Sequence, residues 1–337
     1  MLSKYLRTGL LLATLVASLT VAAAPRYWML TGVDFRTVYA GHATGYFSYD
    51  DATQTISNWN VQVDHFFVDI VAAFTYVPGN STTSVIQPFG AGAPTLVFSA
   101  TMGAPGPNYL ERHLRLVPLT ALDGSNATVP LATFSSIEEF PSLPDSRVVT
   151  AGSLTLMPAP PAVAVVQVDE FYNASLRHYF ITADAAERQT LDAGVPPGWT
   201  RTGESFKAYA IGSNTSGSVN PVCRFYGPPE FCYYYNYGCE PGPDSHFFSA
   251  DASECRTVDR SFGIWQLERD NAFQINLPDK ASGACPVGTT PVYRLWNQRV
   301  DSNHRYTTSA AIRTQMLAAG YRAEGYGPDG VVMCAVQ

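Results

Sequence analysis

Cysteine is absent from the first 222 residues, and all six cysteines lie between Cys223 and Cys334. The first half of the chain must therefore be held together by burial of apolar side chains alone. Charged residues make up only 15% of the sequence and hydrophobic residues 46%, which excludes an intrinsically disordered chain. With 337 residues the chain is long enough for two domains, each with its own core.

Sequence motifs that carry known chemistry are missing as well. The chain has no Gly-x-Ser-x-Gly nucleophile elbow, no phosphate-binding loop and no dinucleotide fingerprint. Adjacent acids occur at Glu138-Glu139 and Asp50-Asp51. Neighbouring side chains in a strand point to opposite faces, so we interpret both pairs as solvated turn residues. Because these motifs are missing, we assign no catalytic residue and no cofactor.

A long apolar run occurs only at the N-terminus. Residues 1–23 have the pattern of a signal peptide: two basic residues, an apolar segment at Leu10–Val21, and small residues for cleavage. We place the cut after Ala23, because a cut after Ala24 would put Pro25 next to the cleaved bond. No other stretch approaches about 20 apolar residues, so we predict no membrane span and a secreted, periplasmic or cell-surface location.

Clustered basic residues are also lacking. The formal net charge is -7, and no stripe of Lys and Arg interrupts the acidic balance. An acidic surface repels phosphate backbones, which excludes nucleic acid as a partner.

Residues 24–157 show the pattern of an all-β domain. Short runs rich in β-branched and aromatic residues alternate with loops of Gly, Pro, Asn and Ser, which favours a β-sandwich or an antiparallel barrel-like sheet. The predicted strands are Trp28–Phe35, Gly45–Tyr49, Ile56–Val63, Ala72–Val77, Thr95–Ala100, His113–Leu119 and Arg147–Leu156.

This region, over residues 26–157, also resembles the ectodomains of bacterial secreted proteins that carry a C-terminal sorting signal. The segments GYFSYDDATQTISNWNVQV and GSLTL carry the resemblance. In such proteins GSLTL leads into a Pro-Glu-Pro sorting tail, whereas here MPAPPAV follows and the chain continues. The resemblance therefore implies no sorting function.

A proline-rich segment separates this domain from the rest. We predict a stiff linker over residues 158–163 and a second domain over residues 164–337. One plan recurs in the second domain: a strand, a turn, a segment with histidine and aromatics, a short helix and an aromatic-led strand. The three repeats span about 168–210, 222–275 and 292–336. A period of roughly 60 residues predicts one mainly β domain with threefold pseudo-symmetry, for which a β-trefoil is the nearest architecture.

Each repeat's helix is marked by its start. The first two helices begin with capping boxes, Asp184-x-x-Glu187 and Asp251-x-x-Glu254, in which the glutamate bonds back to the cap residue. The third helix keeps only its cap, Ser309. The predicted helices cover Ala185–Leu191, Ala252–Val258 and Ala311–Ala319.

The second domain resembles a bacterial secreted repeat domain of unknown function over residues 168–337. In the second repeat CRFYG and SHFFSADASEC carry the resemblance; in the third, CPVGTTPVYRLWN, SNHRYTTS and GVVMCA do so. The first repeat departs most, because Val168 and Asp169 stand where the pattern has Val-Cys-Arg or Val-Tyr-Arg. The resemblance implies a module that is often appended to other secreted modules, and it brings no known activity.

Six cysteines in an oxidising compartment predict three disulfides out of about 15 possible pairings. Zinc is disfavoured, because CxxC spacing is missing. Two cysteines flank one short insertion in the second repeat, so we pair them. The resemblance implies a threefold closure that joins the first strand of that repeat to the last strand of the chain, and two cysteines then remain. The predicted disulfides are Cys223–Cys334, Cys232–Cys239 and Cys255–Cys285.

Each repeat also carries one histidine in its aromatic segment. His178, His246 and His304 would form a water-activating zinc site if they met on a pseudo-threefold axis. We favour the alternative that each imidazole bridges its own turn to the backbone, because a repeated structural need explains three copies. We therefore assign no metal.

Aromatic residues give a better lead to a ligand. The insertion in the second repeat contains four tyrosines, Tyr233, Tyr234, Tyr235 and Tyr237, and such amphipathic rings suit sugars. Aromatics at matched positions in the repeats are instead interpreted as a shared core. These are Tyr172, Tyr226, Trp296, Trp199, Trp265 and Tyr321.

Together these features predict a secreted, non-enzymatic module that binds a glycan or another cell-envelope component through the four tyrosines. One alternative is a secreted hydrolase whose site lies between the two domains. Another is a purely structural surface protein. The sequence assigns no oligomeric state.

Overall fold

A computed structural model describes residues 24–36, 41–64, 73–88, 93–102, 110–142, 145–159, 162–213, 219–232 and 239–337. The predicted signal peptide, residues 1–23, lies outside these ranges. The described residues are mainly β, with three short helices, as predicted. No helix in the described ranges is long and apolar enough to cross a membrane.

The described residues of the first half of the chain contain ten strands, which include a counterpart of every predicted one. The strands are β1 (Arg26–Phe35), β2 (Gly41–Asp50), β3 (Thr55–Val63), β4 (Phe74–Tyr76), β5 (Thr82–Ile86), β6 (Thr95–Met102), β7 (Leu110–Leu116), β8 (Thr128–Pro130), β9 (Ile137–Phe140) and β10 (Asp145–Leu156). They form one antiparallel sheet in the order β4-β3-β2-β1-β10-β9-β7-β6-β5, and β8 pairs with β10.

This sheet folds over itself, so that its two ends enclose one core. Phe47 of β2 and Phe98 of β6 belong to opposite ends of the strand order, yet their ring centroids lie 5.7 Å apart. Tyr76 of β4 also packs against Phe98, at 6.3 Å. The two halves of the sheet thus face each other in the sandwich arrangement that the strand pattern predicted.

The same core buries a charged cluster around Glu138. Its carboxylate accepts hydrogen bonds from Arg112 at 2.6 Å and from Arg147 at 2.7 Å, and all three residues are buried. Burial raises the pKa of Glu138, but the two guanidinium groups lower it more, so the net shift is downward. The prediction that Glu138 is solvated was wrong. The opposite orientation of its neighbour was right, since Glu139 faces Arg115 at 2.8 Å on the partly exposed side.

In the part of the second half that the structure describes there are fourteen strands and three helices. The strands are β11 (Val165–Asn173), β12 (His178–Thr182), β13 (Trp199–Tyr209), β14 (Val219–Pro221), β15 (Cys223–Gly227), β16 (Glu230–Cys232), β17 (Cys239–Pro241), β18 (Ser245–Ser249), β19 (Gln266–Arg269), β20 (Gln274–Asn276), β21 (Thr289–Trp296), β22 (His304–Thr307), β23 (Arg322–Glu324) and β24 (Val331–Val336). The helices are α1 (Ala185–Asp192), α2 (Ala252–Ser261) and α3 (Ala310–Ala318), one in each repeat.

The helices begin where the capping residues predicted. Asp184, Asp251 and Ser309 are the N-caps, and each side chain accepts a hydrogen bond from a backbone N–H in the first turn. Shortly after α1 and α3, Gly194 and Gly320 adopt φ angles of 78° and 90°. These left-handed conformations favour glycine and allow the chain to turn away from the helix end.

The described strands of the second half form three sheets. The largest has the order β12-β11-β13-β20-β24-β21-β22, with β14 on β20 and β23 on β21; the others are β18-β15-β19 and β16-β17. Across the described residues, no strand of the first half pairs with one of the second. The halves meet instead through buried hydrogen bonds, from Tyr46 to the Ser213 carbonyl at 2.8 Å and from Asn60 to Gln274 at 3.0 Å. The boundary at 158–163 and the trefoil arrangement stay predictions.

Two of the predicted disulfides are wrong. Cys223 is bonded to Cys255, and Cys285 is bonded to Cys334. The error lay in the assumed neighbours of the last strand. Within the described residues, β24 pairs with β13, β20 and β21, whereas β15, which holds Cys223, belongs to a different sheet.

Local geometry accounts for both observed bonds. Cys334 lies opposite Pro291 in β21, and Cys285 shortly precedes that strand. Cys223 lies opposite Ser249, two residues before the cap of α2, so the first turn of the helix brings Cys255 back over β15.

The third predicted disulfide involves the inserted hairpin. The Cα atoms of Cys232 and Cys239 are directly paired in the β16–β17 ladder, and Cys239 is disulfide-bonded. The side chain of Cys232 lies outside the described residues, so the Cys232–Cys239 bond stays a prediction.

We predict that the double variant Cys285→Ala/Cys334→Ala loses ~4 kcal/mol of unfolding free energy, measured by urea denaturation. The bond closes a chain segment of 49 residues, and the constraint on the unfolded chain grows with this length. The matched control Cys223→Ala/Cys255→Ala, with a separation of 32, should lose slightly less. A non-reducing peptide map that linked Cys223 to Cys334 would contradict the assignment.

Candidate functional site

Strand pairing aligns the three repeats residue by residue. In each repeat a first strand pairs with a second one: β11 with β12, β15 with β18, and β21 with β22. The N-cap of the helix follows two residues after each second strand. In repeat order, the matched positions are Glu170, Arg224 and Arg294; Tyr179, His246 and His304; Phe180, Phe247 and Arg305; Glu187, Glu254 and Ile312; Trp199, Trp265 and Tyr321; and Thr202, Glu268 and Glu324.

This alignment corrects the predicted equivalence of the three histidines by one residue. Tyr179, not His178, occupies the position of His246 and His304. The His178 ring nitrogens lie 3.0 Å from the Asp244 carbonyl and 3.3 Å from the Asp301 carboxylate. In the sequence of the first repeat the histidine lies one residue further from the helix cap than in the other two. The similarity of the three aromatic segments concealed this shift.

The histidines do not share a metal site. His246 lies 3.2 Å from Glu268, and His304 lies 3.2 Å from Glu324, each within its own repeat. Among the described residues, no group of three His, Cys, Asp or Glu side chains is placed to hold a metal ion. The three-histidine zinc hypothesis is therefore wrong.

A buried arginine links the second repeat to the third. Arg294 of β21 donates two hydrogen bonds to Glu254 of α2, at 3.0 and 2.7 Å, and its Nε lies 3.4 Å from Glu324 of β23. The guanidinium also lies 4.8 Å from the centre of the Phe247 ring. We call this contact between the helix of one repeat and the first strand of the next a seam, and this one the second seam.

The first seam, between repeats one and two, has the same construction. Arg224 of β15 donates two hydrogen bonds to Glu187 of α1, at 2.9 and 2.8 Å, and its Nε lies 2.8 Å from Glu268 of β19. The guanidinium lies 5.6 Å from the centre of the Phe180 ring. Both seams thus pair one buried arginine with two carboxylates and an aromatic ring.

These seams correct the prediction of capping boxes. The aspartate caps are present, but the glutamates do not bond back to them. Glu187 accepts from Arg224 and from Thr182, and Glu254 accepts from Arg294. The spacing that suggested a local cap instead directs each carboxylate across a seam.

The third seam, between repeats three and one, has its charges exchanged. Glu170 stands at the arginine position and accepts from Arg305, which stands at the aromatic position, at 2.9 and 2.8 Å. Thr202 replaces the second glutamate and donates to Glu170 at 2.8 Å. Ile312 replaces the helix glutamate, so no carboxylate of α3 faces Glu170 from that position. The substitutions are complementary, and the ion pair is retained with opposite polarity.

Clefts with aromatic walls lie at the first two seams. The second cleft has a volume of about 570 Å³, and the first about 410 Å³. The second cleft is lined by Phe247, Trp265, Arg294, Trp296, His304 and Glu324. The first cleft is lined by Phe180, Glu187, Trp199, Arg224, His246 and Glu268.

We predicted that the matched aromatics form a shared core, but the structure buries them only partly. Trp199, Trp265 and Trp296 are half-buried, as are Tyr172, Tyr226 and Tyr321. Trp199 and Trp265 pack against the edges of separate hydrophobic clusters. The partial exposure of the three tryptophans at the clefts leaves apolar ring surface next to fixed charges.

Burial and pairing set the protonation of the second cleft. Burial lowers the pKa of His304 more than Glu324 raises it, so this imidazole is held neutral. Burial raises the pKa of Glu324, but His304 and Arg294 lower it more, so this group is held ionised. The cleft therefore presents a fixed anion, a fixed guanidinium and a neutral imidazole.

The structure does not describe the predicted ligand contacts. Tyr233, Tyr234, Tyr235 and Tyr237 fall outside the described residues, so their role stays a prediction. The seam residues were missed, although the sequence carried a signal: both CRFYG and YRLWN contain the arginine, and the first two helices contain the glutamate three residues after the cap.

Comparison with protein families finds one family whose model matches the chain, at two stretches. Residues 154–239 and 238–330 each match the model of a domain of unknown function, DUF5648. No curated protein and no solved structure matches the chain. The matches together cover just over half of the sequence and confirm the predicted resemblance. Each matched stretch contains the helix of one repeat and the first strand of the next, and so holds the glutamate–arginine pair of one seam.

Replacing Arg294 by Met should lower the free energy of unfolding by about 3 kcal/mol or more, because Glu254 and Glu324 lose the cation between them. Arg322→Met is the matched control. Arg322 lines the same cleft but is exposed, so its loss should change stability by no more than about 0.5 kcal/mol. Equal urea midpoints for the two variants would show that the second seam is not a stabilising contact.

Stability should also fall as the pH drops below about 6.5, where an unfolded histidine gains a proton that the buried His304 resists. The native state then binds fewer protons than the unfolded state, so acidification favours unfolding. We expect His304→Gln to lose less unfolding free energy than the wild type between about pH 7 and about pH 5.5. If urea titrations at the two pH values showed the same loss of unfolding free energy for the wild type and for His304→Gln, this prediction would be refuted.

Proposed function

Since the chain belongs to the family defined by DUF5648, a domain of unknown function, we propose from its geometry that it is a non-enzymatic glycan-binding module whose main site is the second cleft. The half-buried indole rings beside a fixed Arg–Glu–His network carry this proposal. The second cleft has a volume of about 570 Å³, which is in the range of small-molecule sites.

The aromatic wall suits the apolar face of a sugar ring. Trp265 packs 6.2 Å from Phe247, and Phe247 in turn packs 5.2 Å from His304, so the rings hold one another in place. Trp296 is fixed by its indole N–H, which donates to Ser302 at 3.0 Å. Rings that are already immobilised lose little conformational entropy when a ligand stacks on them.

The polar groups of the cleft suit sugar hydroxyls. Glu254 and Glu324 accept hydrogen bonds, and the Arg294 guanidinium that they share holds both carboxylates in fixed positions. Orientation and specificity in such sites come from a few well-placed polar groups beside apolar surface. The network that closes the seam thus also supplies the hydrogen-bonding side of the cleft.

The alternative of a hydrolase has less support in this cleft. Glycoside hydrolysis requires one carboxylic acid that stays protonated at working pH, and enzymes obtain it by raising a pKa. The pKa of Glu324 is lowered by His304 and Arg294 despite its burial, which favours the ionised acceptor over the acid.

A secreted or cell-surface location is part of the proposal. The disulfides Cys223–Cys255 and Cys285–Cys334 suit an oxidising compartment, and the pattern of residues 1–23 suits export. Glycans of a cell envelope are accessible from that side.

A glycan array tests the proposal. The wild type should bind at least one glycan class, and Trp265→Ala should weaken that binding about 30-fold, as loss of a central aromatic contact does. Trp265→Phe should retain most of the affinity.

Trp59→Phe serves as the control, because Trp59 lies in the sandwich and contacts Ser81. It should bind as the wild type does. Binding that survives Trp265→Ala, in a variant whose thermal unfolding is unchanged, would place the site elsewhere. Absence of binding to every glycan would overturn the proposed function.

A further inference from the structure

We propose that the first cleft is a second binding site for the same class of ligand, so that one chain holds two sugar units. This inference rests on the proposed function of the second cleft. It concerns a different cavity, which is formed by repeats one and two.

The contacts of the two clefts match in kind and in distance. Phe180 packs between Trp199, at 5.9 Å, and His246, at 4.6 Å. In the second cleft the matched Phe247 packs between a tryptophan at 6.2 Å and a histidine at 5.2 Å. Each histidine lies 3.2 Å from the glutamate of its own repeat. A ligand that stacks on one indole and bonds to one carboxylate pair finds both features twice.

The glutamate beside the histidine is ionised in both clefts. Burial raises the pKa of Glu268, but His246 and Arg224 lower it more, as the corresponding groups do in the second cleft. Both clefts thus offer an ionised acceptor beside a guanidinium that is already neutralised by two carboxylates. A neutral, hydroxyl-rich ligand fits this pattern better than an anion, which would face at least two carboxylates in either cleft.

The rims of the clefts differ, which predicts unequal affinities. Trp296 and Arg322 of the second cleft correspond to Tyr226 and Gln266 in the second repeat. Tyr226, whose hydroxyl donates to Asp244 at 2.9 Å, does not line the first cleft, whereas Trp296 lines the second. The first cleft therefore has less aromatic surface, and we expect it to bind more weakly.

The third seam lacks this construction. Arg305 stands where the clefts have phenylalanine, and its guanidinium lies 4.2 Å from the centre of the Tyr179 ring. Tyr321 replaces the tryptophan. The side chains that would form the wall and the base of a cleft are thus committed to the Glu170–Arg305 pair, so we assign two sites and not three.

Fluorine NMR resolves the two sites in one sample. The chain has five tryptophans, and 5-fluorotryptophan labelling with single Trp→Phe variants assigns each resonance. Chitotriose, cellotriose and maltotriose are titrated separately as neutral probes. A probe that shifts Trp265 and Trp296 should also shift Trp199, with a higher midpoint. Trp28 and Trp59 in the sandwich should not move.

Calorimetry with the same probe should give two sites per chain for the wild type and one for Trp199→Ala, with Trp199→Phe restoring the second. Shifts confined to Trp265 and Trp296, with a single site per chain, would overturn this inference and leave the proposed function intact. Shifts confined to Trp199 would overturn the inference that both clefts bind the same class of ligand. Failure of every probe to move any cleft tryptophan would count against both proposals.

Discussion

The second half of this chain depends on one interaction, the bidentate ion pair between a helix glutamate and the arginine of the following repeat. A guanidinium buried at a seam loses its hydration, and the loss is offset only when carboxylates satisfy its donors in good geometry. Here one carboxylate comes from each side of the seam. No repeat can satisfy its arginine alone, so the repeats must assemble before any of them is complete.

This requirement also shapes the clefts. The arginine joins the helix of one repeat to the strands of the next, and its guanidinium lies over a phenylalanine that packs on the neighbouring indole. Space is left beside the ion pair, with apolar rings on one side and carboxylates on the other. The sandwich in the first half uses the same chemistry differently, since Arg112, Glu138 and Arg147 are sealed inside its core.

Local patterns in the sequence predicted local structure well. Alternation located the main strands, and the aspartate and serine caps located the helix starts to within a residue. The predictions were wrong where a residue's bonding partner lies in a distant strand or helix. The disulfides depended on which strands share a sheet, and the role of Glu187 depended on an arginine in another repeat. The histidine of the first repeat was misaligned because similar aromatic text begins one residue earlier there, and only strand pairing shows the shift.

The exchanged polarity of the third seam has a consequence for how such a chain can lengthen. A duplicate of the second repeat inserted directly after it would meet compatible neighbours, since its arginine would find Glu254 and its own glutamate would face Arg294. A duplicate added after the third repeat would present an arginine to Ile312. The ion pairs are therefore compatible with duplication between the second and third repeats and incompatible with duplication after the third. Glu170 and Arg305 thus restrict the seam between repeats three and one to these two repeats.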